Sequence, residues 1–199
     1  MLNMLEKYIG RFLILTPEEL AVLTKVMEVR SYDKKVRLIE LGETEEYLHF
    51  ISKGLLRKYF YKGSQEIITQ LAREGELICS SVSFFSGQPS TYVVETIEQS
   101  ILLSLHKKEL ENLYTQYPKM ETLGRLLITD LFLQKEYWEL DKTRYDTKER
   151  FVRFVLENTD LFRRVPQKYL ASYLNIKPET FSRLKHHLSK RIAETSTAN

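Results

Sequence analysis

Apolar residues recur at helical spacing near the start of the chain. Leu5, Ile9 and Phe12 lie four and three residues apart, which predicts a short amphipathic helix. A second helix is predicted to begin at Thr16, because Pro17 suits the first helical position and Glu19 completes a capping box with the threonine. The apolar stripe of this second helix consists of Leu20, Leu23 and Met27.

From about Tyr32 to Leu105 the pattern changes to short runs rich in β-branched and aromatic residues. Glycines separate these runs at intervals of 9 to 12 residues, at positions 42, 54, 63, 75 and 87. Short strands at regular spacing favour a β-barrel or a β-sandwich. The alternation of Leu48, Phe50 and Lys53 is only partial, so the pattern leaves the register of the strands open.

A long apolar helix is predicted for residues 118–141, which begin with a proline and contain no other. These 24 residues would form a helix ~36 Å long. Apolar residues cover more than one of its faces, so two sides require burial. We expect one side to pack on the β-domain and the other on a second copy of the chain. The alternative is a central helix that is buried within one chain. A linker is predicted at residues 142–146, before a capping box of Asp146 and Glu149.

Residues 165–191 hold two apolar-periodic segments that meet at Leu174, Asn175 and Ile176. The first segment buries a stripe of Leu170, Ala171 and Leu174, and the second begins at Pro178. In the second segment Phe181, Leu184 and Leu188 share one side, and the opposite side holds Glu179, Arg183, His186 and Lys190. The pattern is typical of a helix-turn-helix at about residues 167–186. A helical hairpin with an ordinary solvated face remains the alternative.

Charge is distributed unevenly along the chain, which carries a net charge of +3. Residues 142–199 contain 13 Lys and Arg against 6 Asp and Glu, a net charge of +7. The preceding 141 residues contain 17 against 21, a net charge of −4. Basic surface attracts phosphate through the release of counterions, so the charge distribution favours DNA binding by the C-terminal end.

The composition, 43% hydrophobic and 29% charged, is that of an ordinary globular protein, and it argues against several functional classes. The single cysteine, Cys79, excludes an internal disulfide and a cluster held by several thiolates of one chain. The four histidines lack the spacing of zinc ligands, so we expect no metal and no cofactor. No catalytic triad or phosphate-binding glycine loop indicates an enzyme. Without a signal peptide or an apolar run of ~20 residues, we expect a cytoplasmic protein that does not enter the membrane.

Three stretches in order resemble the Crp–Fnr family of bacterial transcription regulators: residues 36–43, residues 48–54 and residues 178–183, which read P-E-T-F-S-R. The resemblance implies an α+β protein with three parts. Residues 1–117 would form a jelly-roll-like β-roll sensor domain with flanking helices, and residues 118–141 a dimerisation helix. Residues 142–199 would form the helix-turn-helix DNA-binding domain. The eight residues that follow Arg191 are too few and too polar for the wing of many relatives, so we expect a reduced wing and a frayed tail.

The resemblance also implies which residues contact DNA. Glu179 and Arg183 match the base-reading glutamate and arginine of the family, whereas Pro178 replaces a further arginine. We expect Arg183 to pair with guanine and Glu179 to accept from cytosine. The rest of the expected DNA-contacting set consists of Lys177, Thr180, Ser182, Lys185, His186 and Lys190.

The cassette that binds cyclic nucleotides in the family is degenerate in this chain. The Gly-Glu pair, whose glutamate holds the ribose, becomes Cys79 and Ser80; the Arg-Ser pair, whose arginine neutralises the phosphate, becomes Ser90 and Thr91. With Ser81, these residues form a degenerate effector pocket. The sequence therefore predicts a dimeric DNA-binding regulator that has lost cyclic-nucleotide binding.

The expected partners are an operator in double-stranded DNA, a second copy of the chain and RNA polymerase, and the effector is left open. The alternative function is a sensor of cyclic nucleotides or other small effectors that acts through protein–protein contacts.

Overall fold

The computed structural model describes residues 1–197, with the side chains of residues 1–188. The chain divides into two compact units, Met1–Phe132 and a second that begins at Leu133.

Two helices, α1 (Leu2–Ile9) and α2 (Pro17–Lys25), open the first unit. The predicted capping box of α2 is confirmed. The Glu19 N–H donates to Thr16 Oγ1 over 3.3 Å, and the Glu19 carboxylate accepts from the Thr16 N–H over 2.7 Å. Leu5, Ile9 and Leu23 are buried, as their spacing predicts.

Within Met1–Phe132, eight strands and a short helix follow. They are β1 (Met27–Tyr32), β2 (Arg37–Ile39), β3 (Tyr47–Lys53), β4 (Leu56–Lys62), β5 (Gln65–Ala72), β6 (Leu77–Ile78), α3 (Ser81–Ser86), β7 (Val93–Thr96) and β8 (Ser100–His106). The strands pair antiparallel in two sheets of order β1-β8-β3-β6 and β2-β7-β4-β5. Each sheet alternates early and late strands of the chain, which is the arrangement of an eight-stranded jelly roll.

One predicted boundary is wrong. Met27 fits the apolar stripe of a helix in the sequence, but it lies in β1 and pairs with Leu105 of β8. Pairing along the whole of β8 outweighs the helical pattern of a single residue. Neither β6 nor α3 was predicted, because two and six residues are too few to show a period.

The jelly roll has an apolar interior and one covered face. The interior residues include Ile51, Leu56, Val94 and Leu102, all of them fully buried. A second apolar cluster joins the β1-β8-β3-β6 sheet to α1, to α4 (Lys107–Gln116) and to the first turns of α5 (Pro118–Arg144). Met120, Leu123 and Gly124 are the buried residues of α5, so only one side of its first turns packs on the sheet.

Helix α5 continues to Arg144, which corrects the linker predicted at residues 142–146. The helix therefore extends three residues past its predicted end. Arg150 holds the junction, because its Nη1 lies 3.2 Å from the Lys142 carbonyl oxygen and 2.9 Å from that of Tyr145. The guanidinium of Arg153 lies 4.4 Å from the centre of the Tyr145 ring. The predicted Asp146–Glu149 capping box is confirmed.

In the described part of the second unit, helices α6 (Thr147–Glu157), α7 (Thr159–Arg164), α8 (Gln167–Tyr173) and α9 (Pro178–Thr197) follow α5. Aromatic rings form their core, with Phe151 and Phe162 both packed against Phe181. Trp138, near the end of α5, stacks on Tyr173 of α8 with 4.9 Å between ring centres. The prediction of a frayed tail after Arg191 is wrong as far as Thr197, because α9 extends to that residue.

Candidate nucleic-acid interface and effector cassette

Helices α8 and α9 are joined by a tight turn that fixes their packing. Asn175 adopts a left-handed conformation with φ of 55°, which asparagine tolerates better than most residues. The Ile176 N–H donates to the Ala171 carbonyl over 3.0 Å and closes the end of α8. Leu170, Leu174 and Phe181 are buried at the contact, so one side of α9 faces the core and the other faces solvent.

The outer side of α9 carries the residues that the sequence predicts for DNA contact. Lys177, Glu179, Ser182, Arg183 and His186 are exposed, and Thr180 and Lys185 are half-buried. The side chain of Lys190, the last of the predicted set, lies outside the described residues.

Two contacts within this region orient its basic groups. Arg183 Nη2 lies 3.4 Å from Thr180 Oγ1, one turn earlier on the helix. Lys185 Nζ lies 5.7 Å from the centre of the Phe162 ring, so its stem covers the aromatic core while its ammonium stays near the surface.

This arrangement has the chemistry needed to contact DNA. A guanidinium can donate two hydrogen bonds to the N7 and O6 atoms of guanine, and a carboxylate can accept from the N4 amino group of cytosine. Glu179 and Arg183 lie four residues apart on α9 and therefore point to the same side. The flanking lysines and hydroxyl groups suit phosphate oxygens.

The degenerate effector pocket lies around α3, and the structure brings two of its predicted residues together. Ser80 and Ser90 are both buried, and their hydroxyl oxygens are 2.7 Å apart. Ser90 Oγ is also 2.8 Å from the Tyr92 carbonyl oxygen and accepts from the Tyr92 N–H over 3.1 Å. The polar groups of the two serines are thus satisfied within the chain.

The other predicted pocket residues take different positions. Cys79 is buried with its Sγ 3.8 Å from Ser81 Oγ, and Ser81 and Thr91 are exposed. Burial raises the pKa of the Cys79 thiol to about 11, so the thiol is neutral near pH 7. A neutral, buried thiol is a poor nucleophile and a poor redox sensor.

A buried carboxylate that sequence reasoning missed completes this cluster. The Glu45 side chain accepts hydrogen bonds from the Ser80 N–H and the Tyr47 N–H, each over 3.2 Å. Its own N–H donates to Ser83 Oγ over 2.9 Å. Burial raises the pKa of the Glu45 carboxyl. Glu45 precedes Ser80 by 35 residues, so no local sequence signal marks the contact.

The cations near the cassette are already engaged by the chain. Lys58 Nζ lies 3.2 Å from the Cys79 carbonyl oxygen and 5.7 Å from the centre of the Tyr92 ring. Arg57 is buried against Glu66 and Glu95. The contact of Lys58 with this segment was not predicted from the sequence, because Lys58 precedes Cys79 by 21 residues.

No group of three or more His, Cys, Asp and Glu side chains among the described residues is arranged to hold a metal ion. None of the helices in that part of the chain is long and apolar enough to cross a membrane.

Comparisons with known proteins agree with the fold. Residues 29–117 match the cyclic nucleotide-binding domain family. No curated protein matches the chain in sequence.

Similar solved structures cover most of the chain. FixK2 from Bradyrhizobium japonicum is 20% identical, with a TM-score of 0.67 over 83% of this chain and 86% of that one. The Catabolite Activator Protein of Thermus thermophilus is 23% identical, with a TM-score of 0.54 over 89% and 85% of the two chains. CLP, a c-di-GMP responsive global regulator from Xanthomonas campestris, is 17% identical, with a TM-score of 0.62 over 85% and 90%. At these identities the likeness establishes the fold alone.

Proposed function

We propose that this chain is a dimeric, sequence-specific DNA-binding transcription regulator of the Crp–Fnr type, whose sensor domain does not take a cyclic nucleotide. The observation that carries the proposal is the exposed face of α9, where Glu179 and Arg183 project from a helix whose other side is buried against α8. The match of residues 29–117 to the cyclic nucleotide-binding domain family supports a sensor domain before it.

The DNA-binding part of the proposal treats α8 and α9 as a helix-turn-helix with α9 as recognition helix. Lys177, Glu179, Ser182, Arg183 and His186 are exposed, as contact with bases and phosphates requires. The net charge of +7 in residues 142–199 would attract the DNA backbone before any base is read.

The dimer part of the proposal follows from the apolar surface of α5. Ile128, Leu131 and Phe132 are 45%, 37% and 58% exposed, although they are large apolar side chains. Further along the same helix Leu133, Tyr137 and Leu140 are exposed as well. A helix with so much exposed apolar surface suits pairing with its equivalent in a second copy. Two recognition helices would then bind two half-sites of an operator.

The loss of cyclic-nucleotide binding follows from the polar cluster around α3. A cyclic phosphate would need a cation, but Ser90 stands where the family has arginine. The Ser80 N–H, which could donate to an anion, donates instead to the buried Glu45 carboxylate. A second negative charge beside that carboxylate would be repelled in a medium of low dielectric constant. Contact with RNA polymerase and a cytoplasmic location are proposed on the resemblance alone.

The proposal is tested by selecting bound sequences from a random pool of double-stranded DNA. We expect enrichment of a two-fold symmetric site. Arg183→Ala should then weaken binding to that site by ~1–3 kcal/mol and relax the preference at one base position in each half-site. Lys185→Ala should weaken binding to all sequences alike and make affinity less dependent on salt.

Lys62→Ala is the matched control, because Lys62 is an exposed lysine of the jelly roll. It should leave both the affinity and the salt dependence unchanged. If Arg183→Ala and Lys185→Ala bind the selected site as tightly as the unmodified chain, α9 is not the recognition helix.

The dimer is tested by light scattering at micromolar concentration. We expect twice the monomer mass of 23.6 kDa. Leu131→Arg should yield monomers with full helical and strand content, because Leu131 is at the exposed edge of α5. A monomeric unmodified chain would refute the dimer while leaving DNA binding by α9 open to the selection experiment.

A further inference from the structure

An apolar cavity of about 90 Å³ lies within the first unit, between the outer face of the β1-β8-β3-β6 sheet and the helices that cover it. Its walls come from α1, α4, α5 and the sheet, and include Ile9, Phe50, Leu105 and Leu123. It opens between α3 and α5, where Phe85 and Ile128 are about half exposed. Glu45 and Ser90 do not line the cavity, but Cys79 and Ser81 from the segment around α3 do.

Two tyrosines, Tyr8 and Tyr114, line the cavity and carry hydroxyl groups that could bind a ligand. Tyr8 is only 8% exposed, and its hydroxyl makes no hydrogen bond to any side chain or backbone group that the structure describes. Burial, with a smaller contribution from the Asp130 carboxylate, raises the pKa of Tyr8 to about 12. Burial likewise raises the pKa of Tyr114 to about 12. Both groups are therefore neutral near pH 7 and can donate or accept a hydrogen bond.

The wall at Tyr114 is closely fitted to helix α5. A methyl group added at Gly124 would overlap the Tyr114 hydroxyl and the adjoining ring carbon. The absence of a side chain at Gly124 therefore lets Tyr114 approach the helix backbone. The close contact with Gly124 therefore fixes the position of the Tyr114 hydroxyl.

The walls also determine what charge a ligand can carry. No lysine or arginine lines the cavity. Charges of both signs act on the Tyr8 hydroxyl from outside the wall, because Asp130 and Glu76 raise its pKa and Arg11 lowers it. An anion would lose its hydration among apolar side chains without a cation in the wall to pair with. A cation would lose its hydration among leucine and phenylalanine side chains.

Size sets a further limit on the ligand. A single water needs ~10–15 Å³, whereas an apolar cavity of ~150 Å³ binds benzene. The cavity here is large enough for several waters but too apolar to hold them well. Because the enclosed volume is smaller than that of the benzene-binding cavity, a ligand of one ring would fill the cavity only with part of the molecule in the opening.

We propose that this cavity is a binding site for a small, neutral, mostly apolar molecule that hydrogen-bonds the Tyr8 hydroxyl. The proposal does not depend on DNA binding. It accounts for three features together: the apolar walls, the tyrosine that lines them and the opening to solvent. Ile128 and Leu131 of α5 line the cavity and also belong to the surface that we propose as the dimer seam, so a second copy of the chain would cover part of the opening.

The test uses benzyl alcohol as the probe, with toluene and benzoate as matched compounds of the same ring. Calorimetric titration of the full-length chain should give a dissociation constant of about 1 mM or below for benzyl alcohol, in line with its few heavy atoms. Toluene lacks the hydroxyl and should bind about 3- to 10-fold more weakly. Benzoate, which is an anion, should not bind measurably.

Two variants locate the site. Tyr8→Phe removes the hydroxyl and keeps the ring, so benzyl alcohol should bind about 3- to 10-fold more weakly while toluene is unaffected. Cys79→Leu adds volume at the cavity wall and should weaken both compounds at least 10-fold. Tyr137→Phe is the control, because Tyr137 is 65% exposed and belongs to the second unit. It should bind both compounds like the unmodified chain.

Thermal unfolding gives a second readout, because a ligand that binds the folded state raises the melting temperature. Benzyl alcohol should raise it for the unmodified chain and for Tyr137→Phe, and not for Cys79→Leu. The proposal is overturned if benzyl alcohol neither binds nor stabilises the unmodified chain up to its solubility. It is equally overturned if Cys79→Leu binds the probe with undiminished affinity, because the site would then lie elsewhere.

Discussion

Helix α9 and the segment around α3 hold the two sets of site residues that the sequence predicts, but the polar side chains of the two regions differ in their surroundings. On α9, Glu179 and Arg183 extend into solvent, and neither forms an ion pair with the other described residues. Around α3, Ser80 and Ser90 are buried and hydrogen-bonded to each other, and Glu45 accepts from two backbone N–H groups. The polar groups of α9 therefore remain available to a ligand, whereas those around α3 are already hydrogen-bonded within the chain.

The difference shows why a fold match does not transfer a ligand. Residues 29–117 match the cyclic nucleotide-binding domain family, and they contain β2 to β8 of the jelly roll. The resemblance predicts that the two charges that would hold a cyclic nucleotide are replaced by Ser80 and Ser90. A few polar substitutions therefore change the chemistry of the site without altering the layers around it.

The largest expected effect concerns Arg57, a buried charge of the jelly roll that we expect to stabilise the fold. Arg57 is 3% exposed and lies between Glu66 and Glu95, with its guanidinium 4.2 Å from the centre of the Tyr59 ring. Arg57→Ala would leave the buried Glu95 carboxylate without its closest cation. We expect the free energy of unfolding to fall by about 3–5 kcal/mol in urea titrations.

Arg183→Ala is the matched variant on the exposed helix. We expect it to change the free energy of unfolding by less than about 0.5 kcal/mol, because solvated surface substitutions rarely do more. If Arg57→Ala were as mild as Arg183→Ala, the contrast between structural charges in the roll and available charges on α9 would be lost.

The second prediction concerns cyclic nucleotides. We expect no useful binding of cyclic AMP or cyclic GMP, because a phosphate would lack the charge-assisted contact that arginine provides in the family. Losing such a contact is worth ~2–5 kcal/mol, which moves a micromolar dissociation constant to millimolar or weaker. Calorimetric titration measures this directly. A micromolar dissociation constant for either nucleotide would contradict the claim that the cassette is filled by its own side chains.

Features with local causes could be predicted from the sequence. Both capping boxes could be predicted, because the two residues of each box are close in sequence. They are Thr16 with Glu19 and Asp146 with Glu149. The strands between Tyr32 and Leu105 were recognisable from glycine spacing and β-branched runs. On the site side, the loss of charge at Ser80 and Ser90 stays a prediction, because it depends on an alignment of motifs that the fold does not test.

Features that depend on distant contacts could not be predicted. The role of Glu45 requires that β3 and α3 be neighbours, which only the sheet order establishes. The end of α5 was placed three residues too early, although residues 142–144 contain no helix breaker, and the actual end is held by Arg150 from the next helix. The cavity beside Tyr8 combines four parts of the chain and has no sequence signature.

The smallest predicted effect concerns a buried histidine of the jelly roll. His49 is 2% exposed, its Nδ1 lies 2.8 Å from Ser104 Oγ, and Tyr47 stacks on its ring. Burial, together with the positive charge of Arg30, lowers the pKa of His49 to about 3. The unfolded chain would bind a proton at this residue near pH 6.5, so acid favours the unfolded state over the range from about 6.5 down to about 3.

The sign and size of the effect follow from this difference. Above pH 6.5 both states are neutral at His49 and the residue adds no pH dependence. Each pH unit below that value costs up to about 1.4 kcal/mol, so the free energy of unfolding at pH 5 should be lower by about 2 kcal/mol than at pH 7 through His49 alone.

His49→Gln keeps a side chain that can hydrogen-bond Ser104 but does not titrate. It should therefore remove the part of the decrease in the free energy of unfolding between pH 7 and pH 5 that is due to His49. His187→Gln is the control, because His187 is exposed on α9 and is surrounded by water in both states. Urea titrations at pH 7 and pH 5 compare the three proteins. If His49→Gln loses as much stability between these pH values as the unmodified chain, His49 is not held neutral by burial. A polar group of the jelly roll would then behave like one on the open face of α9.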